Sequence, residues 1–374
     1  MIERMPAGRA AGLYVHVPFC LTRCGYCDFN TYAGLDHLVP AYVDALIGEA
    51  DMAAAEWRGV PFASVFFGGG TPTTLAPSQM VKILDHLRDA FELESDAEVT
   101  VESNPDTVDE RCLRTLRSVG VTRVSFGVQS FDQAVLAALE RIHGPASARA
   151  AFGAARRAGF DAINVDLIYG ADGETLASWE RTLREAIALR PEHVSAYALT
   201  IEPATALGRK VGSGLVPPPD PDLQADMYGA ACGALSAAGY EHYEVSNWAL
   251  TGRRSVHNAG YWEGRPYVGL GAGAHSYRED RRWWNVRPPR QYVERVRAGC
   301  LPIGGGERLT EQERRVERLL LGLRTAEGVP RRWLDAAEAD RAVADGLAAA
   351  RGERVALTER GMFVANDLVL SLAG

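Results

Sequence analysis

The sequence predicts an α/β chain, a partial (β/α)6 TIM-like barrel with a C-terminal α+β extension that ends in a winged-helix-like unit. Three observations predict it. Six short runs rich in β-branched and aromatic residues alternate with helix-like stretches, the pattern of βα units on a parallel sheet. Each run is followed by polar or glycine residues, and parallel barrels keep their chemistry at the C-terminal ends of strands. A break at Pro217, Pro218, Pro219 and Pro221 ends the alternation.

The six runs are LYVHV (13–17), ASVFF (63–67), AEVTVE (97–102), RVSFGV (123–128), AINVDLI (162–168) and HVSAYAL (193–199). Between them, Val43, Leu46, Ile47 and Ala50 fall at i, i+3, i+4, i+7, and Met80, Leu84, Leu87 and Phe91 make a similar stripe. Ser130 with Gln133 three residues on reads as a capping box. Arg141 falls within a helix-like run. Six units are fewer than the eight of a closed barrel, so one side stays open. The strand ends bring three cysteines, the Gly68–Gly69–Gly70–Thr71 run, Glu102, Gln129, Asp166 and Tyr197 to one mouth.

At 374 residues and 47% hydrophobic content the chain can bury a large core. A net charge of -8 gives no general field for nucleic acid or an anionic membrane. The opening MIERMPAGRAAG carries both charge signs and no apolar stretch, so no signal peptide is expected, and no run is long enough to span a bilayer. Six cysteines are too sparse for a disulfide scaffold, which points to a reducing cytoplasm. Cys112, Cys232 and Cys300 stand alone and read as ordinary thiols.

Cys20, Cys24 and Cys27 form C-x3-C-x2-C within HVPFCLTRCGYCDFN. A fully ligated 4Fe-4S cluster needs four thiolates, and nothing nearby supplies a fourth. Three thiolates would leave one iron open to an exchangeable ligand, as catalytic zinc sites keep a position open. The alternatives are zinc with His16 as a fourth ligand, or buried apolar thiols. The glycines at 68–70 offer backbone groups to an amino-acid carboxylate or amine, or make only a tight turn. No G-K-[ST] follows them, so they are not a phosphate loop.

With these residues in view the chain resembles the radical S-adenosylmethionine (SAM) superfamily, and within it the coproporphyrinogen dehydrogenase-like HemN/HemW group. The resemblance spans about residues 13–365, through YVHVPFCLTRCGYCDFN, FFGGGTPT, VESNP, VSFGVQSFD, NVDLIYG, YEVSNWA, HNAGYW and GLGAGAHS. It implies a 4Fe-4S cluster on Cys20, Cys24 and Cys27, with SAM on the open iron. By resemblance Tyr14, Gly69 and Glu102 contact that SAM, and Tyr26, Gly70, Thr71, Gln129, Arg141 and Asp166 match positions that hold SAM or a second SAM.

Two departures separate the chain from the dehydrogenase branch. Phe29 stands where that branch has a further cysteine, and only about a dozen residues precede the first run. His257, Asn258, Tyr261 and Trp262 form H-N-x-x-Y-W, resembling the haem-associated motif of haem chaperones. Imidazole is a common haem ligand and aromatic rings suit a porphyrin face. Arg281 and Arg282, before Trp283 and Trp284, are candidates to meet propionates. A further departure is Asp172, where the group has proline, which alters at least a turn.

The resemblance therefore implies a chaperone that carries haem as cargo to an apo-haemoprotein, including respiratory, membrane-bound acceptors reached by peripheral association. The rival is a HemN-like radical enzyme that methylates or cyclopropanates a small molecule, or oxidises coproporphyrinogen III without oxygen. Cleavage of SAM would call for an electron donor such as flavodoxin or ferredoxin. Three segments are expected: a barrel with the cluster loop over 1–216, a connecting segment with H-N-x-x-Y-W over 217–300, and a winged-helix-like domain over 301–374. Thr310 with Glu313 makes a capping box, and Val316, Leu319, Leu320 and Leu323 continue a helical stripe. Arginines there are balanced by acids, so no nucleic-acid partner is expected.

Overall fold

The computed structural model describes residues 10–373. Residues 1–9, on which the signal-peptide expectation rests, lie outside them. Six parallel strands form the barrel wall: β1 (Ala11–Val17), β2 (Phe62–Gly69), β3 (Leu93–Ser103), β4 (Arg123–Gln129), β5 (Ile163–Tyr169) and β6 (His193–Ala198). They pair in sequence order, as right-handed βα crossovers dictate. On one face of these strands Val15, Phe67, Val101, Phe126, Val165 and Val194 are fully buried against the helices. The alternate residues face the barrel interior and are mostly polar or aromatic: Tyr14, Ser64, Glu102, Ser125, Asn164, Asp166 and His193.

Residues beyond the proline break extend this same sheet at both edges. β7 (Glu241–Glu244) and β8 (Asn247–Ala249) add antiparallel strands outside β6. β9 (Tyr267–Leu270) lies parallel to β1 on its other side, followed by antiparallel β10 (His275–Arg278), β11 (Arg281–Asn285) and β12 (Ile303–Arg308). The sheet therefore has twelve strands, in the order β12-β11-β10-β9-β1-β2-β3-β4-β5-β6-β8-β7.

The helices α1 (Val39–Ala54) and α2 (Pro77–Ala90) carry the expected stripes, with Val43, Leu46, Met80, Leu84 and Leu87 buried. The further helices up to the C-terminal unit include α3 (Glu110–Ser118), α5 (Pro145–Arg157), α6 (Leu176–Leu189), α7 (Ala206–Gly212), α8 (Pro221–Ala237) and α10 (Pro289–Arg297). Two local readings need correction. The cap of α4 (Gln133–Ala138) is Asp132, whose carboxylate accepts from the amides of Ala134 and Val135, while Ser130 is tied to Thr182. Arg141 lies in the loop after α4, not in a helix.

Between β8 and β9 runs a short helix, α9 (Val256–Trp262), which holds the H-N-x-x-Y-W residues. It closes the N-terminal end of the barrel. Glu98 on β3 accepts from the amides of Val256 and His257 and from the Ser255 hydroxyl, each at 3.1 Å.

A second, smaller core gathers Leu319, Leu323, Val329, Ala339, Val355 and Val369. Its elements are α11 (Glu311–Leu323), β13 (Val329–Pro330), a 3-10 turn at Arg331–Trp333, α12 (Ala336–Ala344), β14 (Ala348–Arg351) and β15 (Arg354–Leu357). In chain order these run helix, strand, 3-10 turn, helix, strand, strand. The Thr310–Glu313 capping box at the start of α11 is formed. Among the described residues no helix is long and apolar enough to cross a membrane.

Candidate functional site

A cavity of about 510 Å3 opens at the C-terminal ends of the strands. The cysteine loop, Gly69, Gly70 and Thr71 of the glycine run, Glu102, Gln129, Arg141, Asp166 and Tyr197 all line it. Alternation along each strand and the shared direction of the strands bring these groups to one place.

The three thiols are half-buried. A ring of hydrogen bonds ties two of them to the wall. The Thr71 hydroxyl donates to Cys20 Sγ at 3.6 Å and accepts from Asn104 Nδ2 at 2.9 Å. Arg141 Nη2 donates to Asn104 Oδ1 and to the Gly127 carbonyl, and its Nη1 reaches Cys24 Sγ at 3.3 Å. Cys27 Sγ lies 3.7 Å from the Thr31 hydroxyl. His16 is no ligand here: Tyr14 OH bonds its Nδ1 and the Asn30 carbonyl lies on its Nε2, both at 2.9 Å. Burial holds its pKa down to about 4.

The glycine run serves close approach. A Cβ on Gly70 would strike the Phe19 carbonyl at 2.6 Å, and Gly69 sits at φ +110 against His16. Its amide donates to Glu102 Oε2 at 3.1 Å. Burial, then the charge of Asp166, push the Glu102 pKa up to about 8. Burial also raises Asp166, against hydrogen bonds from Ser125 (2.6 Å) and Asn164 (2.8 Å).

Does this donor set fit a cluster with SAM? Among the described residues no three histidine, cysteine or acidic side chains gather closely enough to hold a single metal ion. A mononuclear zinc site thus finds no support, whereas a cubane asks for thiolates set apart, one per iron. Arg141 supplies positive charge beside anionic thiolates. Gln129 Oε1 and Arg141 Nε are buried with no partner, polar groups at the cavity wall suited to a polar ligand. The residues present fit the pair of cofactors. When bound, such a pair supplies one-electron cleavage of a sulfonium C–S bond.

The H-N-x-x-Y-W residues are not at this mouth. His257 is buried, with Ser64 Oγ on Nδ1 at 2.9 Å and Tyr261 OH on Nε2 at 3.0 Å. Its ring stacks on Phe66 at 5.0 Å, and burial drives its pKa to about 3. With both nitrogens engaged, it offers no lone pair to an iron in this arrangement, which corrects the axial-ligand expectation. Asn258 Nδ2 donates to Tyr243 OH and Glu244 Oε1, both at 3.1 Å. From there a buried chain leads back to the mouth: Tyr243 OH to His193 Nε2 (2.8 Å), His193 Nδ1 to Asn164 Oδ1 (2.6 Å), and Asn164 Nδ2 to Asp166.

Of the two arginines proposed for propionates, one is taken by carboxylates and the other lies over a ring. Arg282 pairs with Glu307 and Glu317, and Arg281 lies 4.6 Å over its neighbour's ring at Trp283. Asp172 is exposed in a turn whose amides at Gly170 and Ala171 are held by Glu174. Sequence reasoning missed Asn104 as the link between two cysteines. Its only signal was its place after the third strand.

A model of the Radical SAM superfamily matches residues 14–186. "Heme chaperone HemW" of Mycobacterium tuberculosis (strain ATCC 25618 / H37Rv) is 44% identical over 373 residues, covering 98% of this chain and 96% of its own length. The chain belongs to the HemW family of radical SAM proteins. "Heme chaperone HemW" of Bacillus subtilis (strain 168) is 36% identical over 320 residues, covering 85% of this chain and 84% of its own. Among solved structures, coproporphyrinogen III oxidase (HemN) from Escherichia coli matches with a TM-score of 0.84 at 24% identity, over 97% of this chain and 90% of that one. That likeness shows the shared fold.

Proposed function

We propose that this chain is a haem chaperone that binds haem and hands it to apo-haemoproteins. The observation that carries the reading is the 44% identity to a "Heme chaperone HemW" along essentially the whole of both chains. Phe29 supports it: this side chain is 68% exposed at the mouth, where the dehydrogenase branch has a further cysteine.

In this reading Cys20, Cys24 and Cys27 hold a 4Fe-4S cluster. Tyr14, Tyr26, Gly69, Gly70, Thr71, Glu102, Gln129, Arg141 and Asp166 bind and orient SAM. The chaperone works in the cytoplasm and approaches membrane-bound respiratory acceptors from that side. The barrel with the cluster loop covers 1–216, the segment over 217–300 supplies strands that widen its sheet, and the C-terminal unit from 301 opens with the last of those strands, Ile303–Arg308.

Titration of cluster-reconstituted protein with haem tests it. A saturable Soret shift is expected, followed by transfer to an apo-haemoprotein. Absence of haem binding would overturn it.

One observation favours a second reading. The mouth is intact, with Glu102, Asp166 and the glycine run all in place around the cysteines. A HemN-like radical enzyme would use the same parts, with flavodoxin or ferredoxin as electron donor. Turnover-linked release of 5′-deoxyadenosine without haem binding would support it instead.

A further inference from the structure

Away from the mouth, a second cavity of about 550 Å3 lies between the outer side of α9 and the C-terminal unit. Its volume falls in the range of cofactor pockets, roughly 300–1,000 Å3. Trp262, last residue of H-N-x-x-Y-W, and Trp333 line it, with Leu321, Val329 and Pro330. Both tryptophans are half-buried, so their rings are available from the cavity. Four arginines also line it: Arg254, Arg318, Arg332 and Arg354.

The acids facing them are already engaged. Glu327 pairs with Arg254, Glu263 pairs with Arg265, and Glu244 is buried among Asn247, Asn258 and the Ser246 amide. Arg354 donates to the carbonyls of Glu327 and Gly328, and among the described residues no carboxylate pairs with it. Arg318 is half-buried on α11, and no ion pair is found for it among the described residues. Flat aromatic walls with guanidinium groups at the edge match a planar, apolar ring bearing carboxylates.

We infer that this cleft, resting on the chaperone reading above, is the seat of the porphyrin cargo. The ring lies against Trp262 and Trp333, and its propionates meet Arg318 and Arg354. The H-N-x-x-Y-W helix then serves as the cleft's wall: Trp262 faces the ring, while His257 and Asn258 anchor α9 to the barrel. No histidine, cysteine or methionine lines the cleft, and the hydroxyl of Tyr243, the one tyrosine there, is engaged by His193 and Asn258. Haem is therefore gripped by its disc and carboxylates and not by its iron, which leaves the metal free for an acceptor's own ligands.

The test is titration of full-length, cluster-loaded protein with haem, following the Soret band and tryptophan quenching. Arg318→Glu and Trp333→Ala are each expected to weaken haem affinity by about tenfold or more. Cluster absorbance and the thermal melt should match wild type. Arg354→Glu is the second charge reversal, at an exposed position, should Arg318→Glu fold poorly. Metal-free protoporphyrin IX should bind about as well as haem, and the haem dimethyl ester about tenfold more weakly. Wild-type haem affinity in all three variants, or a strict requirement for iron, overturns the cleft assignment and leaves the chaperone reading standing. Failure of wild-type protein to bind haem at all sinks both.

Discussion

Arg141 Nη1 lies 3.3 Å from Cys24 Sγ, so a residue from the loop after α4 reaches across the barrel mouth to a thiol of the first loop. The same guanidinium holds Asn104 and the Gly127 carbonyl. Replacing it with Met should leave the cluster in place but shift its midpoint potential negative, because a positive charge beside a thiolate favours the reduced cluster. SAM affinity should fall by about tenfold. Protein-film voltammetry and equilibrium dialysis measure the two effects, and an unchanged potential would remove Arg141 from the cluster's surroundings.

Cys24→Ser is expected to lose the cluster's visible absorbance and its iron. Unchanged iron content after anaerobic reconstitution would show the cluster assignment to be wrong.

Stability should form a plateau against pH. His16 and His257 are held down to about 4 and about 3 by burial, so the unfolded chain binds their protons first as pH falls below about 6.5. Glu49, Glu102 and Glu174 are held up to about 7, about 8 and about 7 by burial, so the native state keeps protons that the unfolded chain has released. Between about 4.5 and 6.5 the two sets oppose each other. Above that window only the carboxylates act, and stability falls as pH rises to about 8. Below it the histidines act without opposition from those carboxylates, and acids held low such as Asp132 act with them, so stability falls as pH drops. Urea midpoints of the apo-protein from pH 3.5 to 8.5 measure the curve, and Glu102→Gln should flatten its alkaline arm.

His257→Ala removes the partner of Ser64 and Tyr261 and opens a hole under Phe66. A loss of about 2–4 kcal/mol in unfolding free energy is expected. Haem affinity, measured below the new melting point, should change less than about threefold, since the ring points away from the cleft. A selective loss of haem binding at full stability would restore the axial role to this histidine.

His193→Leu should be as damaging, because Asn164 and Tyr243 lose their shared partner inside the barrel. A cost of about 2–4 kcal/mol is expected, read from denaturant midpoints. A neutral substitution would mean that water replaces the ring.

The six barrel strands were legible because parallel strands buried on one face by helices need β-branched and aromatic residues, and Val15, Phe67, Val101 and Val165 supply them. The edge strands were not. Arg281–Asn285 reads RRWWN and Ile303–Arg308 reads IGGGER, and such short, polar strands are defined by their neighbours more than by their own residues. The mouth was legible because each strand end carries its chemistry in sequence. The fate of His257 was not, since its partners Ser64 and Glu98 come from strands far upstream. Arg141 was misread as helical for a similar reason: its loop is held by contacts to Asn104 and Gly127, which no local pattern announces.

β1 sits between β2 and β9, and β9 comes from residues 267–270. Asn30, in the cysteine loop, donates to the carbonyls of Ala272 and Arg287 at 2.9 Å. The strand that leads into the cysteine loop is therefore made about 250 residues ahead of the strand that encloses it, from Val17 to Tyr267. Pairings of such sequence separation fold slowly. The cysteine loop gains its backing from Ala272 and Arg287 only once the chain has been made past residue 287, and that backing leaves the thiols open to the mouth on the other side.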